Sequence, residues 1–140
     1  MTATVELSVS EVCDRLGVDE LFIRRLVDGG VVQPSGGGGG QRGQHRRWHL
    51  ADLGVLSVCQ QLHAAGASPE LMCRAVRYLH NVDKVPFGMV LVVGVGYGPR
   101  LLGDHGLLHL VQSAKEAVLV VSLHGEIRRW LNQRPETVEW

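Results

Sequence analysis

The chain has 140 residues, and its 14 lysines and arginines balance 14 aspartates and glutamates, so the formal charge is zero. That length holds one moderate domain or two small ones, and a neutral total gives bulk electrostatics no voice for or against nucleic acid. No amino-terminal stretch joins positive charge to a long apolar run, and the longest apolar run falls far short of a bilayer span, so secretion and membrane insertion are not expected and the cytoplasm is.

The first predicted element follows Leu7. Ser8 and Glu11 stand three apart, directly before Val9, Val12, Cys13 and Leu16, a capping-box spacing that starts a short helix. Gly17 ends it and Asp19 offers a carboxylate as the next N-cap, so a second helix is expected from about Asp19 to Asp28. Leu21, Phe22 and Leu26 are expected to face the first helix with Ile23 and Val27 beside them, leaving Arg24 and Arg25 on the remaining surface. Gly29 and Gly30 stop this helix, Val31 and Val32 suit a short strand, and Pro34 closes it at an edge.

Between Ser35 and His49, five consecutive glycines precede Arg42, His45, Arg46, Arg47 and His49, with no acid among them. The spacing reads as a hairpin tip leading into a basic strand. On a neutral chain, such a cluster suits a phosphate backbone, with the Trp48 ring buried beneath the arginines. Leu50, Leu53, Leu56, Cys59 and Leu62 then predict a helix from about Leu50 to Ala65, ended by Gly66. Ser68 at an N-cap and Pro69 at the first helical position restart the chain, with Leu71, Met72, Ala75, Val76 and Leu79 as the buried side.

These pieces, in this order, resemble a known family. The run EVCDRLGVDELFIRRLVDGGVV beginning at Glu11 is similar to the opening of the MerR-type bacterial regulators, whose usual wording is E-L-A, then G-V, then L-R-Y-Y and G-L. QHRRWHLADL, from Gln44 to Leu53, resembles that family's wing signature G-Y-R-R-Y followed by a small residue, acids and a leucine, and LHAAGASPELMCRAV resembles its second helix pair. The resemblance covers a little over half of the chain and implies a winged helix-turn-helix that binds double-stranded DNA. It puts Phe22, Arg24 and Arg25 on the recognition helix, with Arg24 in the major groove or on its phosphate rim. Arg25 stands where the family has tyrosine, and an arginine there can hold a phosphate or read guanine. The resemblance gives His45, Arg46 and Arg47 to the wing, as contacts to backbone phosphates with one arginine packed against the domain, and Arg42 joins them as part of the same basic run. Trp48 replaces the wing's last tyrosine.

Family members generally continue into a long dimerising helix, whereas here Pro86 and Gly88 interrupt the chain soon after His80. Through His80 the chain counts eight arginines, no lysine and eight acids, so this part is also neutral. Weak non-specific affinity is expected from it, with a second reader needed for useful occupancy.

The remainder has a different texture. MVLVVGV (Met89–Val95) and AVLVVSL (Ala117–Leu123) read as buried strands, with helices expected over Leu101–Lys115 and Gly125–Asn132. Strand, helix, strand, helix implies a right-handed parallel crossover. Two strands are too few for an independent sheet, so either two copies join or the strands lean on the first part, and a homodimer through this region is the economical expectation.

Other chemistry finds little support. Cys13, Cys59 and Cys73 are odd in number and lie on apolar helical faces, which fits reduced thiols. Cys59 with His63, and His45 with His49, lack a recognised zinc pattern, and His105 with His109 reads as a surface pair, so no metal ligand is assigned. GVGYGP, from Gly94 to Pro99, resembles a phosphate-binding glycine loop, but Pro99 occupies the place of the third glycine and a tight strand-to-helix turn accounts for it. No catalytic set assembles and no cofactor is expected.

The sequence therefore predicts an α+β protein. A winged helix-turn-helix DNA-binding domain over residues 5–81 is followed by a β-α-β-α dimerisation or effector domain over residues 86–134. The expected function is a sequence-specific DNA-binding homodimer, a bacterial transcriptional regulator with RNA polymerase as a further expected partner. The alternatives are an architectural or excision-type DNA-binding factor, and a MerR-like protein-interaction adaptor that binds no DNA.

Overall fold

The computed structural model describes residues 6–36, 47–94, 96–123 and 125–133. Two short helices open the chain, α1 (Val9–Leu16) and α2 (Glu20–Asp28), and a longer pair follows, α3 (Leu50–Ala64) and α4 (Pro69–His80). The remainder runs β1 (Val90–Gly94), β2 (Tyr97–Leu102), α5 (Asp104–Ser113), β3 (Val118–Val121) and α6 (Glu126–Leu131). The protein is α+β, and no helix among the described residues is long and apolar enough to cross a membrane.

The helix starts are local chemistry. The Ser8 Oγ accepts the Glu11 amide at 3.2 Å while Glu11 Oε1 accepts the Ser8 amide at 3.2 Å, and Asp19 Oδ1 accepts the Phe22 amide at 2.8 Å. Gly17 takes the left-handed conformation at φ 68° and ends α1, so only Gly17, Val18 and Asp19 separate the first two helices. Ser68 caps α4 by accepting the Leu71 amide at 3.2 Å.

The buried face of α2 departs from the expectation. Ile23 and Leu26 are the buried residues, Phe22 is half-buried, and Leu21 is 47% exposed. Apolar side chains almost encircle this helix, so the position of its neighbours decides which of them goes inside. Val31 and Val32 are buried without forming a strand, since their amides return to the Leu26 carbonyl at 2.9 and 3.4 Å and extend the helix end.

The sheet corrects the expected β-α-β-α order and its parallel crossover. It is three-stranded in the order β2-β1-β3, and β1 is antiparallel to both neighbours. The Gly94–Pro99 stretch therefore leads from the end of β1 into an antiparallel β2 instead of into a helix, and Leu101 and Leu102 belong to β2. Gly98 and Pro99 stand opposite the single residue Val93, a bulge on an edge strand, where a residue without an N–H is tolerated. Since β2 and β3 both oppose β1, they run the same way on its two sides, and α5 carries the chain from one edge to the other. The parallel relation exists, with a strand between its members.

Alternation sorts the sheet into two faces. Leu91, Val93 and Val121 point into the main core, and Leu101 and Leu119 pack against it, whereas Val92 lies on the opposite face, in register with Arg100 of β2 and Val120 of β3, and Leu102 shares that face opposite Val90. Helices α3 and α4 cover the first face, with α6 packed on α3, and α5 contacts β2 on the second. One buried apolar cluster includes Val12, Ile23, Trp48, Leu53, Leu79, Leu91 and Leu131, so the sheet leans on the helices of the first part. The closest helix packing is between α3 and α6, where Leu131 lies directly against Gly54. Side chains lock the same union. Gln61 Nε2 donates to the Ser122 carbonyl at 2.9 Å and its Oε1 accepts the Ser122 amide at 3.0 Å, while Asn132 Oδ1 accepts the Val85 amide at 2.7 Å and its Nδ2 donates to the Val85 carbonyl at 3.0 Å.

Candidate nucleic-acid interface

The outward side of α2 follows from what it buries. With Ile23 and Leu26 inside, a rotation of about 100° per residue puts Arg24 and Arg25 on the solvent side with Leu21 between them, and all three are exposed. Arg24 Nη2 lies 3.4 Å from Glu20 Oε1, an i,i+4 pair whose side chains are 54% and 59% exposed, so water screens it and a stronger acceptor can displace it. Arg25 has no ion-pair partner among the described residues. Phe22, expected beside them, turns partly inward and meets the His63 ring edge-on, with centroids 5.3 Å apart and planes at 61°.

Arg25 and Leu21 also border a groove of about 380 Å³, lined further by Phe22, His63, Pro69 and Met72. The groove lies between α2 and the α3–α4 turn. The sequence does not single out His63 and Met72 as surface partners of α2, since nothing local ties residues so far apart along the chain.

The second basic feature is anchored at its base. The Leu7 and Trp48 amides exchange hydrogen bonds with each other's carbonyls at 2.7 and 2.9 Å, and the Gly36 amide donates to the Arg47 carbonyl at 2.9 Å. Asp52, on the first turn of α3, completes the clamp: its carboxylate accepts the Ser35 amide at 3.0 Å, the Ser35 hydroxyl at 2.5 Å and the His49 amide at 2.9 Å. Asp52 is only 4% exposed, so these donors replace the water it has lost. Sequence reasoning misses this role. The only signal is an acid at the third position of a helix.

Arg47 emerges from this clamp exposed, with Nη1 3.9 Å from Glu6 Oε2. Arg42, His45 and Arg46 lie outside the described residues. Trp48 is fully buried, as the sequence suggests, but its Nε1 has no hydrogen-bond partner among the described residues, nor has Nδ1 of His49. The structure thus brings Phe22, Arg24 and Arg25 onto one helix and sets Arg47 at the foot of the glycine loop.

Acids accompany these cations. Asp19 and Glu20 begin α2, Asp28 ends it, and Glu6 faces Arg47. Such a surface offers an anion a few exposed arginines, without the broad positive field that supports tight non-specific binding of nucleic acid. Among the described residues, no three histidine, cysteine or acidic side chains converge as a metal site. Comparison with protein-family models, curated proteins and solved structures finds no match to this chain.

Proposed function

We propose that this protein is a sequence-specific DNA-binding protein, a bacterial transcriptional regulator that works as a pair of copies, with α1 and α2 as its reading unit and the glycine-rich loop as a wing. The observation that carries this reading is the joint exposure of Arg24 and Arg25 on a short helix that a three-residue turn sets against α1. In this reading α2 enters the major groove, Arg25 approaches a guanine edge or a phosphate, Arg24 leaves Glu20 for the phosphate rim, and Arg47 holds the backbone beside the wing. The Asp52 clamp holds Ser35 and His49 together at the two ends of the glycine-rich segment. The MerR-type resemblance supports the same assignment.

Selection of bound sequences from random duplexes, followed by a salt titration on the winner, tests this proposal. A consensus is expected, with weaker binding by Arg25→Ala and a salt slope lower by about one for each lost phosphate contact. Failure to enrich any sequence, or equal affinity of wild type and Arg25→Ala, would remove the reading.

A protein-binding adaptor is the second reading, and Leu21 favours it. This leucine is 47% exposed between the two arginines and beside the apolar groove, a composition that suits a protein partner as well as a thymine methyl group. If the protein is an adaptor, Leu21→Glu abolishes partner capture and no duplex is selected.

A further inference from the structure

The outer face of the sheet is incompletely covered. A helix is about 10 Å across and neighbouring strands are about 4.8 Å apart, so one helix roofs roughly two strands. Here α5 contacts β2, with Gly106 against Leu102, and Leu110 is its buried residue. On β3, Val120 points to this same face beside Val92 and remains 49% exposed. The third strand lacks a roof.

The roofing helix also carries an apolar flank. Leu108 is 56% exposed and Val111 65% exposed, and Leu107 is half-buried between them and the sheet. With Leu110 inward, the helical repeat puts Asp104, Leu107, Leu108 and Val111 along one flank and His105, His109 and Gln112 along the other. A crossover from β2 to β3 in the right-handed sense that such connections take turns the apolar flank toward β3. Val111 and Val120 then border one trough, open along β3, with Leu108 on the outer crest of α5 above it.

We infer that this trough is where a second copy of the chain docks, α5 of each copy lying antiparallel to its partner's α5 and covering β3 of the other. The inference deepens the regulator reading, on which it rests for the purpose of pairing. Charge supports the antiparallel sense. Asp104 stands at the start of the flank and Lys115 just beyond its end, both exposed and neither with an ion-pair partner among the described residues, so a two-fold arrangement brings each aspartate toward the other copy's lysine. Area supports a second copy too. The three exposed side chains amount to on the order of 300 Å² per copy, within the range of the largest bare patch on an ordinary monomer, which is often a functional one. Doubled by symmetry and edged by Leu107 and Val118, the contact reaches on the order of 800 Å², the size of a weak, transient interface. It is a modest dimer that concentration controls.

Sedimentation equilibrium of the full chain without DNA tests the inference, with circular dichroism to verify folding of each variant. Wild type is expected to dimerise in the micromolar range, and Val111→Glu to raise the dimer Kd at least about tenfold. Asp104→Lys weakens the dimer, and the double variant Asp104→Lys with Lys115→Asp restores it. A monomer at all concentrations up to about 100 µM, a dimer indifferent to Val111→Glu, or a charge exchange that fails to rescue would each overturn the proposal. Its failure is separable from that of the DNA reading: a dimer that selects no duplex removes only the latter, and a monomer that binds a half-site removes only the former.

Discussion

Asp52 and Ser35 are joined twice across seventeen positions of chain, the carboxylate accepting both the amide and the hydroxyl of Ser35 at 3.0 and 2.5 Å. The same carboxylate accepts the His49 amide at 2.9 Å, so a single buried side chain closes both ends of the glycine-rich loop. Closing a loop of this length costs chain entropy, and a carboxylate with three donors offsets it.

Asp52→Ala is expected to destabilise the protein by about 2–3 kcal/mol, because it strands the Ser35 and His49 amides at the loop base. Urea denaturation measures this. Asp52→Asn keeps an acceptor oxygen and should cost less. An Asp52→Ala protein as stable as wild type would show that the clamp is idle.

Gly54 provides the second test. A β-carbon there would stand 2.6 Å from Leu131 Cγ and 3.0 Å from the Leu131 backbone nitrogen, so α3 and α6 cannot stay this close around an alanine. Helix propensity favours alanine by about 1 kcal/mol, whereas overpacking a core costs about 1–3 kcal/mol, and contact with backbone leaves little room for a flexible escape. Gly54→Ala should therefore lower the thermal midpoint. Combined with Leu131→Ala, the two losses should sum to less than their separate values, and strictly additive effects would contradict the contact.

What can be read in advance is what neighbours in sequence decide. Ser8, Asp19 and Ser68 cap the helices they precede, because a capping side chain reaches only three residues. The β2 strand is hidden, since Gly98, Pro99 and Arg100 have the composition of a turn and become a strand only through pairing with β1. The inward face of α2 is illegible for a related reason: Leu21 and Ile23 are equally apolar, and only the placement of other helices separates them. For the candidate interface, Arg24 and Arg25 are legible as surface residues, but the Asp52 clamp depends on a partner distant in sequence. Three of the expected wing residues, Arg42, His45 and Arg46, fall outside the described residues.

The acid beside Arg24 leads to a prediction with an unusual sign. In the proposed reading Glu20, 3.4 Å from Arg24, competes with a duplex phosphate for this guanidinium, and both side chains are more than half exposed. Glu20→Gln should release Arg24 and remove a nearby negative charge, strengthening duplex binding by about threefold at low salt, with the gain shrinking as salt screens it. Fluorescence anisotropy on the selected duplex reads this change. Weaker binding by Glu20→Gln would mean that the carboxylate positions the arginine instead of restraining it.

Cys59 gives a pH dependence whose direction is fixed by burial. This fully buried thiol is pushed from its ordinary 9.0 up to about 12, first by loss of water around the charged form and then by the neighbouring Cys73. The unfolded chain thus releases this proton at lower pH than the folded one, and the folded state binds more protons throughout the interval. By linkage, Cys59 contributes nothing pH-dependent below about 8, and stability falls as pH rises from 9 toward 12. Cys59→Ala should flatten that alkaline decline relative to wild type, apart from a uniform packing cost of about 1 kcal/mol. Pulsed alkylation read by mass spectrometry supplies the complementary check. Cys13 and Cys73 are half-buried, so Cys59 should be the last thiol modified, reacting only as the protein unfolds. Labelling of Cys59 at the rate of the other two in native buffer would place it at a surface and contradict the packing of α3.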